Sequence, residues 1–430
     1  MSSRDHSRST SVCFLLVLAA AITLAACGGG NNTTTPPVTP VANSATAEVN
    51  SGPGGNSTNM LFVSVNVCMP GSTTNCQTID HVQVDTGSYG LRVLSSALGS
   101  LDPSTGNSSG LPTIQDSSNN VLQECVQFAD STYAWGPVAV ADVSISGEKA
   151  SSVPFQVISA NPLYSVPSSC LQLGNGGSLG SQSALMANGI IGVGVFPDDC
   201  GASCTASSSS VPNEYYLCPS GKCSVATVQE TNQVANPVVY FPSDNNGVVV
   251  TLPDISADGV ASASGSITFG IGTQSDNALG SAKVFTVDGY GEFASSYGGV
   301  SYPGYLDTGS NGLFFLDGTT AGIADCGQTD VNFTGWYCPG SPVQYTVTNT
   351  GANGTTGQAQ FSIANTITLF TNGSGGFFAF NDLGGAGGTD ASNDIIDLGL
   401  PFFYGKSVFV GIMGQTAPSN ATNTYGYFAY

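Results

Sequence analysis

The chain has 430 residues, 28 Asp plus Glu against 7 Lys plus Arg, and a formal net charge of −21. That surplus repels phosphate backbones and excludes nucleic acid as a partner, and an apolar fraction of 41% is too low for a polytopic membrane protein. With His6 and His81 as the only imidazoles, a His-rich metal site is excluded and acid–base chemistry falls to carboxylates. Neither a metal nor a cofactor is expected.

The first segment reads as an export signal. Arg4 and Arg8 make a basic start, and the apolar run 12–26 is too short to span a bilayer. It ends Leu24-Ala25-Ala26-Cys27, which resembles the lipobox of bacterial lipoproteins. The resemblance implies a signal peptide over 1–26, cleavage before Cys27 and lipidation of Cys27. A membrane-anchored protein of the bacterial cell envelope follows from it, and Gly28 at the next position points to the outer membrane. Residues 27–57, rich in Gly, Pro, Thr and Asn, are expected to be a flexible tether.

From Met60 onward, short apolar runs alternate with Gly, Asn, Ser and Pro clusters, which predicts an all-β fold with minor helix. Strands are expected over 61–67, 138–145, 238–241, 248–252 and 266–271, and short helices over 93–98 and 181–187. Once Cys13 leaves with the signal and Cys27 carries lipid, ten Cys remain of the 12, an even number in an exported chain. Cys68 pairs plausibly with Cys76, and Cys326 with Cys338; Cys125 and Cys170 are then left for each other. Cys200, Cys204, Cys218 and Cys223 share one Ser-rich loop and can pair three ways, with spacings that depart from a zinc knuckle.

The informative feature is an internal echo. Residues 85–91 read Asp85-Thr86-Gly87-Ser88-Tyr89-Gly90-Leu91, and residues 307–313 read Asp307-Thr308-Gly309-Ser310-Asn311-Gly312-Leu313. A given tetrapeptide of this type should occur by chance roughly 0.03 times in such a chain, so the repeat is not turn noise. Each copy sits between two apolar runs, which implies strand, tight acidic turn, strand. Two such loops brought face to face would place two carboxylates at close range. They would then share one proton, so that one member is a base and the other an acid. Gly87 and Gly309 would allow backbone N–H groups to approach, Thr86 and Thr308 would tie the loops, and Ser88 and Ser310 would bond the outer oxygens.

With these residues the chain resembles the pepsin-like aspartic proteases. Asn188-Gly189-Ile190-Ile191-Gly192-Val193-Gly194 is similar to the segment that crosses behind the first catalytic loop, and residues 395–409 are similar to its C-terminal counterpart. The resemblance implies a bilobal all-β fold, with a first lobe over 58–235 and a second over 236–430, and Asp85 and Asp307 as the catalytic pair. It also implies a peptide or protein substrate and a monomer. The family places a Tyr on a flap over the cleft; here Phe128 falls at that point, with Tyr133 and Trp135 nearby. Arg92 stands where an aromatic often follows the first loop, and no Lys-rich segment precedes the domain. Two readings follow: a lipid-anchored endopeptidase, or a non-catalytic envelope lipoprotein that binds a peptide, glycan or partner in the same cleft. A Ser hydrolase based on His81 lacks the G-x-S-x-G elbow; His81, four residues before Asp85, is expected on the same strand face as a structural residue.

Overall fold

The computed structural model describes residues 42–104, 109–159, 162–171, 176–205, 211–372, 375–415 and 425–430. The expected signal peptide, Cys27 and residues 27–41 lie outside the described residues. In the first half the strands are β1 (Ser44–Val49), β2 (Leu61–Cys68), β3 (Cys76–Asp85), β4 (Tyr89–Leu94), β5 (Leu122–Gln127), β6 (Tyr133–Ile145), β7 (Glu148–Ile158), β8 (Gly189–Val193), β9 (Tyr215–Leu217) and β10 (Ser224–Val225). In the second they are β11 (Gly247–Thr251), β12 (Ala263–Phe269), β13 (Val284–Thr286), β14 (Phe293–Tyr297), β15 (Val300–Asp307), β16 (Leu313–Phe315), β17 (Val343–Thr350), β18 (Thr356–Ile363), β19 (Gly384–Gly385), β20 (Ile396–Gly399), β21 (Ser407–Gly411) and β22 (Tyr427–Ala429). The described residues also form the short α-helices α1 (Ser95–Leu98), α2 (Gln182–Leu185), α3 (Gly318–Ala321) and α4 (Thr366–Asn372), besides several 3₁₀ turns.

The same three-strand unit occurs once in each half. In the first, β8 lies between β3, with which it is parallel, and β4, with which it is antiparallel. In the second, β20 lies between β15 and β16 in the same senses. Register places Asp85 opposite Gly192 and Asp307 opposite Gly399. A side chain at Gly192 would strike the Ser88–Tyr89 backbone, and one at Gly399 the backbone of Gly312, so each crossing strand can pass behind its loop only with Gly there. This repeated unit makes the all-β, two-lobed pepsin-like architecture visible within the topology itself. The lobes are joined by sheet: a 15-stranded sheet runs continuously from first-half strands through β2, β1, β12 and β11 to β22 and β13, while β14 to β20 make a second sheet of 7 strands.

Apolar side chains of the crossing strands, including Val84, Ile191, Leu306 and Leu398, fill one continuous core, each worth about 1.5–3 kcal/mol when fully buried. Five disulfides close the loops: Cys68–Cys76, Cys125–Cys170, Cys200–Cys204, Cys218–Cys223 and Cys326–Cys338. The three pairs expected from spacing are formed, and the four-Cys loop resolves into two local bonds.

Three expectations need correction. The tether cannot extend to residue 57, because β1 falls inside it and pairs with β12 over residues 44–49. Its alternation of Thr46 and Glu48 outward with Ala47 and Val49 inward is that of a half-buried strand, short and hidden between Pro- and Gly-rich flanks. Residues 238–241 are not a strand. Pro237 opens a 3₁₀ turn over Pro237–Tyr240, and the Val238 amide donates to the Asn236 side chain at 3.1 Å. The expected helix over 93–98 starts late: Val93 and Leu94 belong to β4, and α1 covers only Ser95–Leu98. The helix expected over 181–187 forms as α2, with the Ala184 amide donating to Ser181 Oγ at 3.2 Å.

Candidate active site

Both DTGS loops leave the end of a core strand, and the two come together. The Thr86 amide donates to Thr308 Oγ1 at 3.1 Å, and the Thr308 amide to Thr86 Oγ1 at 2.9 Å. Each hydroxyl then donates onward across the junction, Thr86 to the Leu306 carbonyl at 2.9 Å and Thr308 to the Val84 carbonyl at 2.7 Å. Both Thr side chains are buried, where hydrogen bonds gain strength from the low local dielectric. This reciprocal lock fixes the loops to each other. A Cβ at Gly87 would sit 2.5 Å from the Asp307 carboxyl carbon, and one at Gly309 2.5 Å from Asp85 Oδ1. Only Gly lets each backbone approach the opposite carboxyl.

Asp85 and Asp307 are in hydrogen-bond contact with each other. Their surroundings are similar but unequal. Asp85 accepts from the amides of Gly87 at 2.8 Å and Ser88 at 3.1 Å, and from Ser88 Oγ at 2.5 Å. Asp307 accepts from the Gly309 amide at 2.7 Å and Ser310 Oγ at 2.8 Å; the Ser310 amide goes to the backbone carbonyl of Asp307 instead. Three donors against two favour the charge on Asp85. Burial, the Asp85 charge and the hydrogen bond between the two carboxyls push Asp307 up to about 8. The two acids are coupled, and burial beside a second carboxyl favours the neutral form of Asp307.

The pair lies on the floor of a cleft of about 540 Å³. Phe128, Ala129, Asp130 and Thr132 contribute from one side, and Tyr290 and Glu292 from the other. Of the three flap candidates only Phe128 lines the cleft. Trp135 is buried, with its indole N–H donating to the Tyr164 carbonyl at 3.1 Å and its ring against Tyr216, and Tyr133 packs in that same cluster. Among the described residues lining the cleft there is no Lys, Arg or His.

His81 does not join the site. A bulge between β2 and β3 shifts the register at Val63 and Val65, and His81 takes φ 49°, which breaks the alternation that predicted a common face with Asp85. Its ring pairs with the Asp80 carboxylate at 3.1 Å and packs edge-on against Phe62. Arg92 is also no cleft residue. It is buried behind the first loop, donating to the Tyr89 carbonyl at 2.6 Å, Glu124 at 2.6 Å and Asp199 at 3.0 Å. Burial works against its charge, but Glu124 and Asp199 outweigh that and keep the guanidinium ionised. The sulphurs of Cys200 and Cys204 lie with the Glu214 carboxyl within 4.8 Å, and the two sulphurs are bonded to each other.

The sequence reading missed Asp397, Tyr305 and Glu292. Asp397 is buried on β20 and lines the cleft beside Asp307. Burial first, then Asp307, hold its carboxyl well above the usual range. The phenol of Tyr305 is pushed up by burial, then by Asp397, Asp307 and Glu292, and that of Tyr89 by burial, then by Asp85, Asp307 and Glu292. Aligning the two crossing segments on their Gly residues would have exposed the signal: Asp397 stands where the first half has Ile190.

Residues 39–430 match the family model described as "Protein of unknown function (DUF3443)", and the chain belongs to that family. No curated protein matches the sequence. Among solved structures the chain is similar to an aspartic proteinase from Irpex lacteus, with 14% identity and a TM-score of 0.46, over 90% of this chain and 96% of that one.

Proposed function

We propose that this protein is an aspartic endopeptidase held at the cell envelope by a lipid on Cys27, and that Asp85 and Asp307 activate the water that cleaves a peptide bond. The observation that carries the reading is the pair itself: two carboxyls from repeated loops, set against each other by the Thr86–Thr308 lock in an open cleft. In the proposed step, ionised Asp85 takes a proton from water as the oxygen bonds to the substrate carbonyl carbon. Asp307 gives its proton to the carbonyl oxygen, so a neutral tetrahedral diol forms without a free oxyanion. Asp85 then passes its proton to the amide nitrogen, the C–N bond breaks, and a diol proton returns to Asp307. Phe128 covers the cleft with an apolar ring and supplies no hydroxyl to this sequence. The lipid anchor rests on the Leu24-Ala25-Ala26-Cys27 pattern and is read out separately, by the mass of the mature N-terminus.

The test is cleavage of an unfolded protein by the purified mature chain from pH 3 to 9, beside the Asp85→Asn and Asp307→Asn variants. Each variant is expected to lose at least about a hundredfold in rate, and a statine-type peptide to inhibit the wild type. Equal cleavage by wild type and both variants removes the peptidase reading. Tight peptide binding without turnover supports the non-catalytic lipoprotein instead.

A further inference from the structure

Asp397, the acid on β20, has no counterpart in the first half. Asp397 faces Tyr305 on β15 and Phe314 on β16, in the register where Ile190 faces Gln83 on β3 and Arg92 on β4. Placing a carboxyl at the apolar centre of a crossing strand is costly unless it is paired or neutral. Asp397 is 4% exposed, and its Oδ1 has no hydrogen-bond partner. Among the described residues no cation offsets it. The ionisable groups facing it are Asp307 and Tyr305 from β15 and Asp85 from the first loop, with Glu292 and Tyr89 beyond them. Every one of these is an acid or a phenol, so a second or third negative charge here is strongly disfavoured. A neutral carboxyl differs from a carboxylate in one respect that matters: it has an O–H to donate.

The group placed to receive it is Ser310. Its hydroxyl donates to Asp307 Oδ2 at 2.8 Å, and Ser310 and Asp397 line the same cleft and interact. Since Ser310 has one hydrogen and commits it to Asp307, its oxygen is left as an acceptor toward Asp397. In the first half Ser88 donates to Asp85 at 2.5 Å, with Ile190 in place of the second acid.

We propose that Asp397 is a positioning residue of the Asp pair: a neutral acid that donates to Ser310, fixes the direction of the Ser310 hydroxyl, and through it steadies the charge that forms on Asp307 when its proton leaves. Linked donors polarise one another, so the relay makes Ser310 a stronger donor than an isolated hydroxyl. It opposes the burial and Coulomb repulsion that weaken Asp307 as an acid. The inference rests on the peptidase reading for its kinetic consequences but not for its titration.

The experiment compares wild type with Asp397→Asn, Asp397→Leu and Ser310→Ala, each checked for fold by near-ultraviolet circular dichroism. Carboxyl carbon resonances of ¹³C-labelled Asp, assigned with Asp307→Asn, give the Asp307 midpoint whether or not the protein turns over. Asp397→Leu and Ser310→Ala are each expected to raise that midpoint by about one pH unit, the worth of roughly one hydrogen bond. Asp397→Asn, which keeps a neutral N–H donor, stays close to wild type. In cleavage assays the Leu variant's alkaline limb moves up and kcat falls about tenfold, with KM within about twofold; Asn restores both. If Asn and Leu alike lower the Asp307 midpoint, Asp397 acts as a charge and the relay is wrong. If neither variant moves it, Asp397 is only packing. A wild type that titrates as expected but cleaves nothing removes the peptidase reading and leaves the relay standing.

Discussion

Asp382 provides a direct test of how this fold carries its acids. It lies in the segment between Phe380 and Leu383, is 3% exposed, and leaves Oδ1 without a partner. Burial pushes its carboxyl up to about 7, its own backbone amide works in the opposite sense, and Asp258 adds to the rise. Because the folded-state value lies above the unfolded one, its contribution is intact below about pH 4. It is lost as pH rises through about 7. The full difference is about 4 kcal/mol at 1.36 kcal/mol per pH unit. Local relaxation and water reaching the exposed edge of the carboxyl reduce this to about 2–3 kcal/mol. Asp382→Asn keeps the shape and removes the charge. At pH 8.5 the variant should be more stable than wild type by that amount, and at pH 4.5 the two should agree within about 1 kcal/mol. Urea unfolding with disulfides intact, followed by Trp135 and Trp336 fluorescence, reads both. An Asn advantage that is equal at the two pH values would refute the reasoning, because it would arise from packing rather than ionisation.

Two further outcomes follow from the site and its support. Arg92→Met should destabilise the fold by about 3–5 kcal/mol, since it leaves fully buried Glu124 and its neighbour Asp199 without their cation; chemical denaturation at pH 7 measures it. Gly309→Ala should abolish cleavage with little change in the denaturation midpoint, because the new Cβ would meet Asp85 Oδ1 at 2.5 Å while the Thr86–Thr308 lock lies outside that contact. A folded Gly309→Ala variant with wild-type activity would show that the carboxyls need not lie as close as they do.

The parts legible in sequence are those carried by local pattern. The DTGS loops stood out because they occur twice, and the short disulfides because 8 and 12 residues separate their ends. What escaped depends on contacts between distant segments. Arg92 meets Glu124 and Asp199 across 32 and 107 residues, so nothing near Arg92 in the chain announces its role. The pairing of β1 with β12 likewise joins residues more than two hundred apart in sequence, such as Thr46 and Ser266. His81 misled because strand alternation is a local rule, and one bulge reverses it. Asp397 lay in plain view within an apolar segment, but its meaning appears only when β20 is set beside β8.

Two nearly identical loops could have produced a symmetric pair with no preference for the proton. The asymmetry comes from outside the motif. The Ser88 amide gives Asp85 a donor that the Ser310 amide withholds from Asp307, and β20 adds an acid where β8 has an apolar residue. The first effect gives Asp85 one more donor than Asp307 has, and the second sets a buried acid, neutral in our proposal, beside Asp307. The same device recurs away from the cleft. Glu148 lies near Asp244 and Asp394 near Asp317, acid beside acid, and burial first, then the neighbouring acid, pushes the carboxyls of Glu148 and Asp394 up. With seven bases in the whole chain, one of them the buried Arg92, the fold has few other counterions to use. Burial first, then neighbouring acids, pushes Glu148 up to about 7 and Glu214 and Asp307 up to about 8. Above that range the structural protons and the proton of the pair are lost together. On the proposed function, the alkaline limit of activity and the alkaline limit of stability should therefore coincide.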